Sequence, residues 1–226
     1  MKIEYVCQRN IVRSPTFEAV SKYFIAKKNL EELIEISSSG IDVDRFNRGQ
    51  LRPDEVYKTF GYLIEAQKKK KLADENLMQK VIIEYTNRII NSDTILLAKK
   101  ALTLFEAYCG EMRDIALLQK GIPLLKDWRY PESLKQTKEG DAKIIVVLAK
   151  EYIDFVKKIY SNRKSNEKPK ILSITDFGEE PKAYGFEVAD FGAIVEIALK
   201  SVPNLIDYCC TKGYVRLVKP NQLIDS

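Results

Sequence analysis

A thiol and a guanidinium at the right interval can form an anion site with a built-in nucleophile, and Cys7 and Arg13 have that interval. Between them run Gln8, Arg9, Asn10, Ile11 and Val12, and none is proline, so each backbone N–H from position 8 to position 14 can donate. Such amides can bind phosphate oxygens, and the planar fork of Arg13 can add two parallel bonds to the same group. Cys-x5-Arg pairs also arise by chance, so the flanking residues carry the argument. Residues 2–6 can form a buried strand, Ser14 is a good helix N-cap, and Pro15 suits the first helical position. Phe17, Val20 and Phe24 then recur at helical spacing. The loop is therefore expected between a strand end and the positive end of a helix, a setting that favours a thiolate over a thiol. Asn10 tolerates the left-handed conformation that a tight loop demands, and Ser14 can donate its hydroxyl to the Cys7 sulfur.

The elements that must position this loop follow from the rest of the pattern. Strands are expected at 2–7, 33–37, 143–149 and 170–174, and helices at 15–28, 150–160 and 188 to about 210, the last carrying Pro203. A turn runs through 37–44. Pro53 opens a helix towards the lysine run 68–71, two further helical stretches cover 74–90 and 92–118, and 123–140 reads as a loop with a short helix. Strands separated by helices indicate an α/β fold with a small parallel sheet flanked by helices. The expected organisation is a single domain over 1–226 with a helical insertion at about 60–125. Ligands in such sheets bind beyond the carboxyl ends of strands, where both Cys7 and Asp176 fall.

Composition removes whole classes of chemistry. The chain has 226 residues and no histidine, which excludes Ser-His-Asp and Cys-His catalysis and any histidine-ligated metal. Cys7, Cys109, Cys209 and Cys210 lack zinc-type spacing, so neither metal nor cofactor is expected. The net charge of +5 is too small to argue for nucleic acid, and the run 68–71 reads as a solvated helix end. Without a run of 18 apolar residues or a leader-like start, a cytoplasmic protein with no membrane partner is expected.

The stretch from Cys7 to Ala19 resembles the signature of the low-molecular-weight protein tyrosine phosphatases, Cys-x-Gly-Asn-x-Cys-Arg-Ser-Pro followed by Glu-Ala. Cys7, Asn10, Arg13, Ser14, Pro15, Glu18 and Ala19 match it, while Arg9 replaces the glycine and Val12 the second cysteine. Residues 33–40 are similar to that family's second strand and the turn after it, 141–148 to its third strand, and 174–178 to its late Asp-Pro loop. The likeness covers 1–50 and 140–210. It implies a phosphomonoesterase working through a phosphocysteine intermediate, with Ser38 bracing Asn10. It also implies a phosphorylated protein or small phosphomonoester as substrate.

The general acid has two candidates in the sequence. Asp176 follows a β-branched strand and precedes Gly178, and Asp127 lies in an aromatic–proline context. The family's paired tyrosines after the acid are replaced by Phe177 and Gly178. Two other functions remain open: a non-catalytic phospho-ligand binder or scaffold on the same fold, and an arsenate reductase. The reductase needs further cysteines to pass on a disulfide, and Val12 removes the nearest one.

Overall fold

The computed structural model describes residues 1–48, 50–124, 132–134, 142–182 and 185–215. Four parallel strands, β1 (Lys2–Cys7), β2 (Glu35–Gly40), β3 (Ala142–Val147) and β4 (Lys170–Ser173), lie in the order β2-β1-β3-β4. Helix α1 (Arg13–Lys27) connects β1 to β2. A short α2 (Val43–Asn47) precedes three longer helices, α3 (Pro53–Lys69), α4 (Glu75–Asn87) and α5 (Ser92–Gln119). After β3 come a 3-10 turn, Lys150–Tyr152, and α6 (Ile153–Ile159). After β4 come a 3-10 turn, Ile174–Asp176, and the long α7 (Val188–Thr211). The protein thus has the α/β fold expected, with a four-stranded parallel sheet flanked by helices.

Alternation along the strands decides which face each side chain serves. Ile3, Tyr5 and Cys7 of β1, with Ile144 and Val146 of β3, pack against α1, α5 and α7. Val6, Ile145 and Val147 face the other way, onto Val156 and Tyr160. Cys7 therefore ends the central strand on the side where the large helices lie. A separate cluster of Val56, Phe60, Leu63, Met78, Val81, Ala98 and Ala101 holds α3, α4 and the first half of α5 together. The second half of α5, through Phe105, Tyr108, Cys109 and Leu117, belongs to the main core. At 28 residues, α5 is about 42 Å long, enough to serve both.

Two boundaries differ from the sequence expectation for reasons that bear on the site. β2 runs through Ser37, Ser38 and Ser39, because Tyr5 pairs with Ser38, Val6 with Ser39 and Cys7 with Gly40. Serine is a poor strand former, but two of these hydroxyls are satisfied: Ser38 Oγ donates to Glu18 Oε2 at 2.6 Å and Ser39 Oγ to the buried Glu4 Oε1 at 2.5 Å. Helix α1 starts at Arg13 rather than 15, and Ser14 is not its N-cap; Val12 is, with no side-chain cap bond. The Ser14 hydroxyl is used elsewhere. In the segment 123–140, residues 125–131 and 135–140 lie outside the described residues, and Asp127 with them.

Candidate active site

Five residues, Gln8 to Val12, separate the last residue of β1 from the first of α1, and the backbone of this turn is held from outside it. The Cys7 carbonyl accepts the Ile41 N–H at 3.0 Å and the Gln8 carbonyl the Asp42 N–H at 3.0 Å. Arg113 Nη1 donates to the Ile11 carbonyl at 2.8 Å, and Thr16 donates to the Val12 carbonyl from both its N–H (2.9 Å) and its hydroxyl (2.7 Å). In a trans peptide the N–H points opposite to the C=O. Carbonyls tied outward therefore turn the amides of Gln8, Arg9, Val12 and Arg13 away from those anchors, towards the inside of the turn. This is a nest of N–H dipoles at a helix N-terminus, with Arg13 buried at its end.

Inside the turn lies the Cys7 sulfur, 3% exposed. The Asn10 N–H donates to Sγ at 3.3 Å, and Ser14 Oγ sits 3.0 Å from it. Asn10 has φ 54°, the left-handed conformation expected of it, while Arg9 does not take a positive φ. Replacing the resemblance's glycine with Arg9 thus imposes no left-handed strain. Asn10 Nδ2 donates to the Ser38 carbonyl at 3.3 Å, and Asn10 Oδ1 faces Ser14 Oγ at 2.9 Å. The Ser38 carbonyl thus holds the Asn10 side chain, while its hydroxyl is spent on Glu18.

Gly40 is the tightest spot in this frame. A Cβ there would lie 2.9 Å from the Arg9 carbonyl carbon and the Asn10 nitrogen, and 2.7 Å from Val43 Cγ2. The loop backbone can approach β2 only because this residue has no side chain. Further out, Gln8 Nε2 donates to Asp42 Oδ2, which Arg45 also bonds, and Arg45 forks onto Glu55 with two bonds of 2.6 Å. Burial alone would raise the Glu55 carboxyl, but the bonds from Arg45 and Arg52 hold it down at about 2.

The loop opens into a cavity of about 360 Å³. Gln8, Arg9, Ile11 and Arg13 form its floor, and α3 and α5 give one wall with Tyr62, Phe105, Glu106 and Cys109. Glu151 and Tyr152, after β3, and Glu180, Pro181 and Lys182, after β4, give another. Arg9 turns its guanidinium onto the Phe46 ring, 3.7 Å from the centroid, and pairs with Glu106. Tyr152 lies beside Arg13 and Glu151; burial, with Glu151, pushes its phenol up to about 12 against the opposing effect of Arg13. The phenol stays protonated beside Arg13. Burial likewise raises the Cys109 thiol to about 12, leaving it neutral.

The expected residues do not all converge. Cys7, Asn10, Arg13, Ser14 and Ser38 come together, and Gln8, Arg9, Ile11 and Val12 complete the turn. Asp176 does not line the cavity: it is exposed, and its Oδ2 accepts the Ser173 N–H at 3.1 Å to close a capping box round the 3-10 turn. Tyr152 and Glu180 line the cavity without having been among the residues expected there. A signal for Glu180 was present, an acidic residue directly before Pro181 on the loop after the fourth strand.

A family model described as low molecular weight phosphotyrosine protein phosphatase matches residues 2–117, and the chain belongs to that family. The match runs through α3–α5, a segment the resemblance had left without a counterpart. A comparison with curated protein sequences finds no match. Among solved structures, a protein tyrosine phosphatase from Entamoeba histolytica is 18% identical, with a TM-score of 0.50 over 95% of this chain and 99% of that one. A low molecular weight protein tyrosine phosphatase from Bacillus subtilis is 13% identical, at 0.52 over 94% and 99%. A Drosophila arginine phosphatase is 15% identical, at 0.50 over 92% and 97%. At these identities the likeness carries the fold.

Gly40→Ala tests the frame. The new methyl must push the Arg9–Asn10 peptide, and a shift of about an ångström in a positioned site costs on the order of 10²-fold in rate. Its kcat/KM for an aryl phosphate should fall to that extent while circular dichroism stays that of the parent. Near-parental activity would show that the loop does not depend on this contact.

Proposed function

We propose that the chain is a cytoplasmic, cysteine-dependent phosphomonoesterase of the protein tyrosine phosphatase type. The carrying observation is the Cys7 sulfur held by Asn10 N–H and Ser14 Oγ inside a turn whose carbonyls are anchored outward. The family consists of phosphatases, which implies phosphorylated substrates in general. The aromatic walls formed by Phe46, Tyr62, Phe105 and Tyr152 suit an aryl leaving group.

In the proposed reaction the loop amides and Arg13 bind the three non-bridging oxygens and stabilise charge as it builds in the transition state. The Cys7 thiolate attacks phosphorus in line, the S–P bond forms, and the P–O bond to the leaving group breaks as a carboxylic acid supplies a proton. Water then attacks the phosphocysteine, the same carboxylate takes its proton, and the thiolate leaves. We assign the carboxyl to Glu180 in preference to Asp176. Among the other cavity carboxylates, Glu55 is locked by Arg45 and Arg52, Glu106 pairs with Arg9, Asp54 lies by Lys58 and Glu151 lies beside the Tyr152 phenol. Glu180 accepts one backbone N–H, from Lys150 at 3.2 Å.

A second substrate reading, a phosphorylated arginine, is favoured by one observation: Glu151 and Glu180 at the mouth could receive a guanidinium. Comparing kcat/KM for phosphotyrosine and phosphoarginine peptides decides between them, with the tyrosine peptide expected to be the better substrate.

Turnover of p-nitrophenyl phosphate in EDTA separates an enzyme from a phospho-ligand scaffold. Cys7→Ser should abolish that turnover and keep phosphate binding, and Arg13→Lys should lose most of it because a point charge cannot replace the fork. More than about one per cent of activity in Cys7→Ser would remove the covalent route, since general acid–base help alone is worth only about 10²–10⁴.

The acid is tested separately. Glu180→Gln should lower kcat for phenyl phosphate by roughly 10²-fold or more and for p-nitrophenyl phosphate much less, because the better leaving group needs little protonation. Asp176→Asn should be mild on both. The reverse pattern returns the role to Asp176.

A further inference from the structure

Helix α5 reaches the loop with a stripe of three residues. Glu106, Cys109 and Arg113 stand at i, i+3 and i+7, one helix face, and that face looks at the turn. Glu106 pairs with Arg9, and Cys109 lies in the cavity wall. Arg113 goes deepest: it is 3% exposed and donates from Nη1 to the Ile11 carbonyl at 2.8 Å. Its Nε and Nη2 are taken by Asp114 Oδ1, at 2.8 and 2.5 Å.

A buried guanidinium is expensive, and burial pulls its affinity for a proton down while Asp114 partly restores it. An apolar side chain would fill the same space without that cost, so packing alone does not explain the residue. What it does provide is a fixed peptide. The other loop carbonyls described above are held by backbone donors from 41 and 42, next to β2, or by Thr16 of α1. The Ile11–Val12 peptide is held by a side chain 102 positions away. Were that peptide to flip, the Val12 N–H would leave the anion site and a carbonyl dipole would enter it.

We infer that Arg113 is a positioning residue: through the Ile11 carbonyl it fixes the Val12 N–H towards the bound phosphoryl group and places a buried positive charge behind the loop. This rests on the phosphatase reading above. It makes the helical segment part of the anion site, since α5 is itself held by α3 and α4 through the Phe60–Leu63–Val81–Ala98 cluster.

The test uses the full chain and inorganic phosphate as competitive inhibitor. Arg113→Met should raise the phosphate Ki by about tenfold or more, the loss expected for a hydrogen bond involving a charged group, and lower kcat/KM by at least as much. Arg113→Lys keeps a cation and one donor, and should recover part of the affinity. A Ki unchanged in folded Arg113→Met, or a lysine variant no better than the methionine one, overturns the inference. If neither variant folds, amide NMR of the parent decides: the Val12 N–H resonance should move downfield on saturation with phosphate, and a stationary Val12 resonance overturns it. A parent that neither binds phosphate nor hydrolyses an aryl phosphate overturns the phosphatase reading as well. A parent that does both, with Arg113→Met its equal, overturns this inference alone.

Discussion

A turn between a parallel strand and a helix must put its carbonyl oxygens somewhere, and here they go outward. Cys7, Gln8, Ile11 and Val12 each give their oxygen to a donor from β2's exit, α5 or α1. Everything else at the site depends on that constraint. The amides left over point inward, the sulfur at the strand end lies among them, and the first turn of α1 carries no side-chain cap. Had Ser14 capped the helix, its hydroxyl would not be 3.0 Å from Sγ, and a competing acceptor would stand where the proposed reaction puts an anion.

The cost of such a frame is carried by the surrounding packing. Gly40 sacrifices a side chain so that β2 can touch the loop, and Asn10 adopts a left-handed φ that most residues avoid. Arg113 is buried almost completely. Each is unfavourable alone, and the frame beside them is firm: β1 pairs with β2 from Lys2 to Cys7 and with β3 from Lys2 to Val6. Rigidity in the strand permits strain in the loop that follows it.

Much of this was legible in the sequence because local patterns and fold agree at the N-terminus. Cys7, Asn10, Arg13 and Ser14 lie within eight consecutive residues, so no tertiary knowledge is needed to place them together. The order of strands and helices was readable for the same reason. Less accessible was anything that depends on long-range satisfaction of polar groups. Ser37, Ser38 and Ser39 read as a turn because nothing local reveals that Glu18 and Glu4 will accept two of their hydroxyls. Asp176 looked poised on a strand-end loop, yet the capping need of a 3-10 turn captures its carboxylate. Arg113 sits mid-helix next to Asp114, so it reads as half of a local ion pair, and only the packing of α5 against the loop brings it to the Ile11 carbonyl.

In the proposed reaction the Cys7 sulfur, held in this turn, takes up the phosphoryl group. Rapid acid quench during turnover of an aryl phosphate, followed by peptide mapping, measures this directly. A phosphate adduct is expected on the peptide containing Cys7, appearing within the first turnover and absent from Cys7→Ser. A phosphate adduct on another residue, or turnover with no protein-bound phosphate at any quench time, would contradict it.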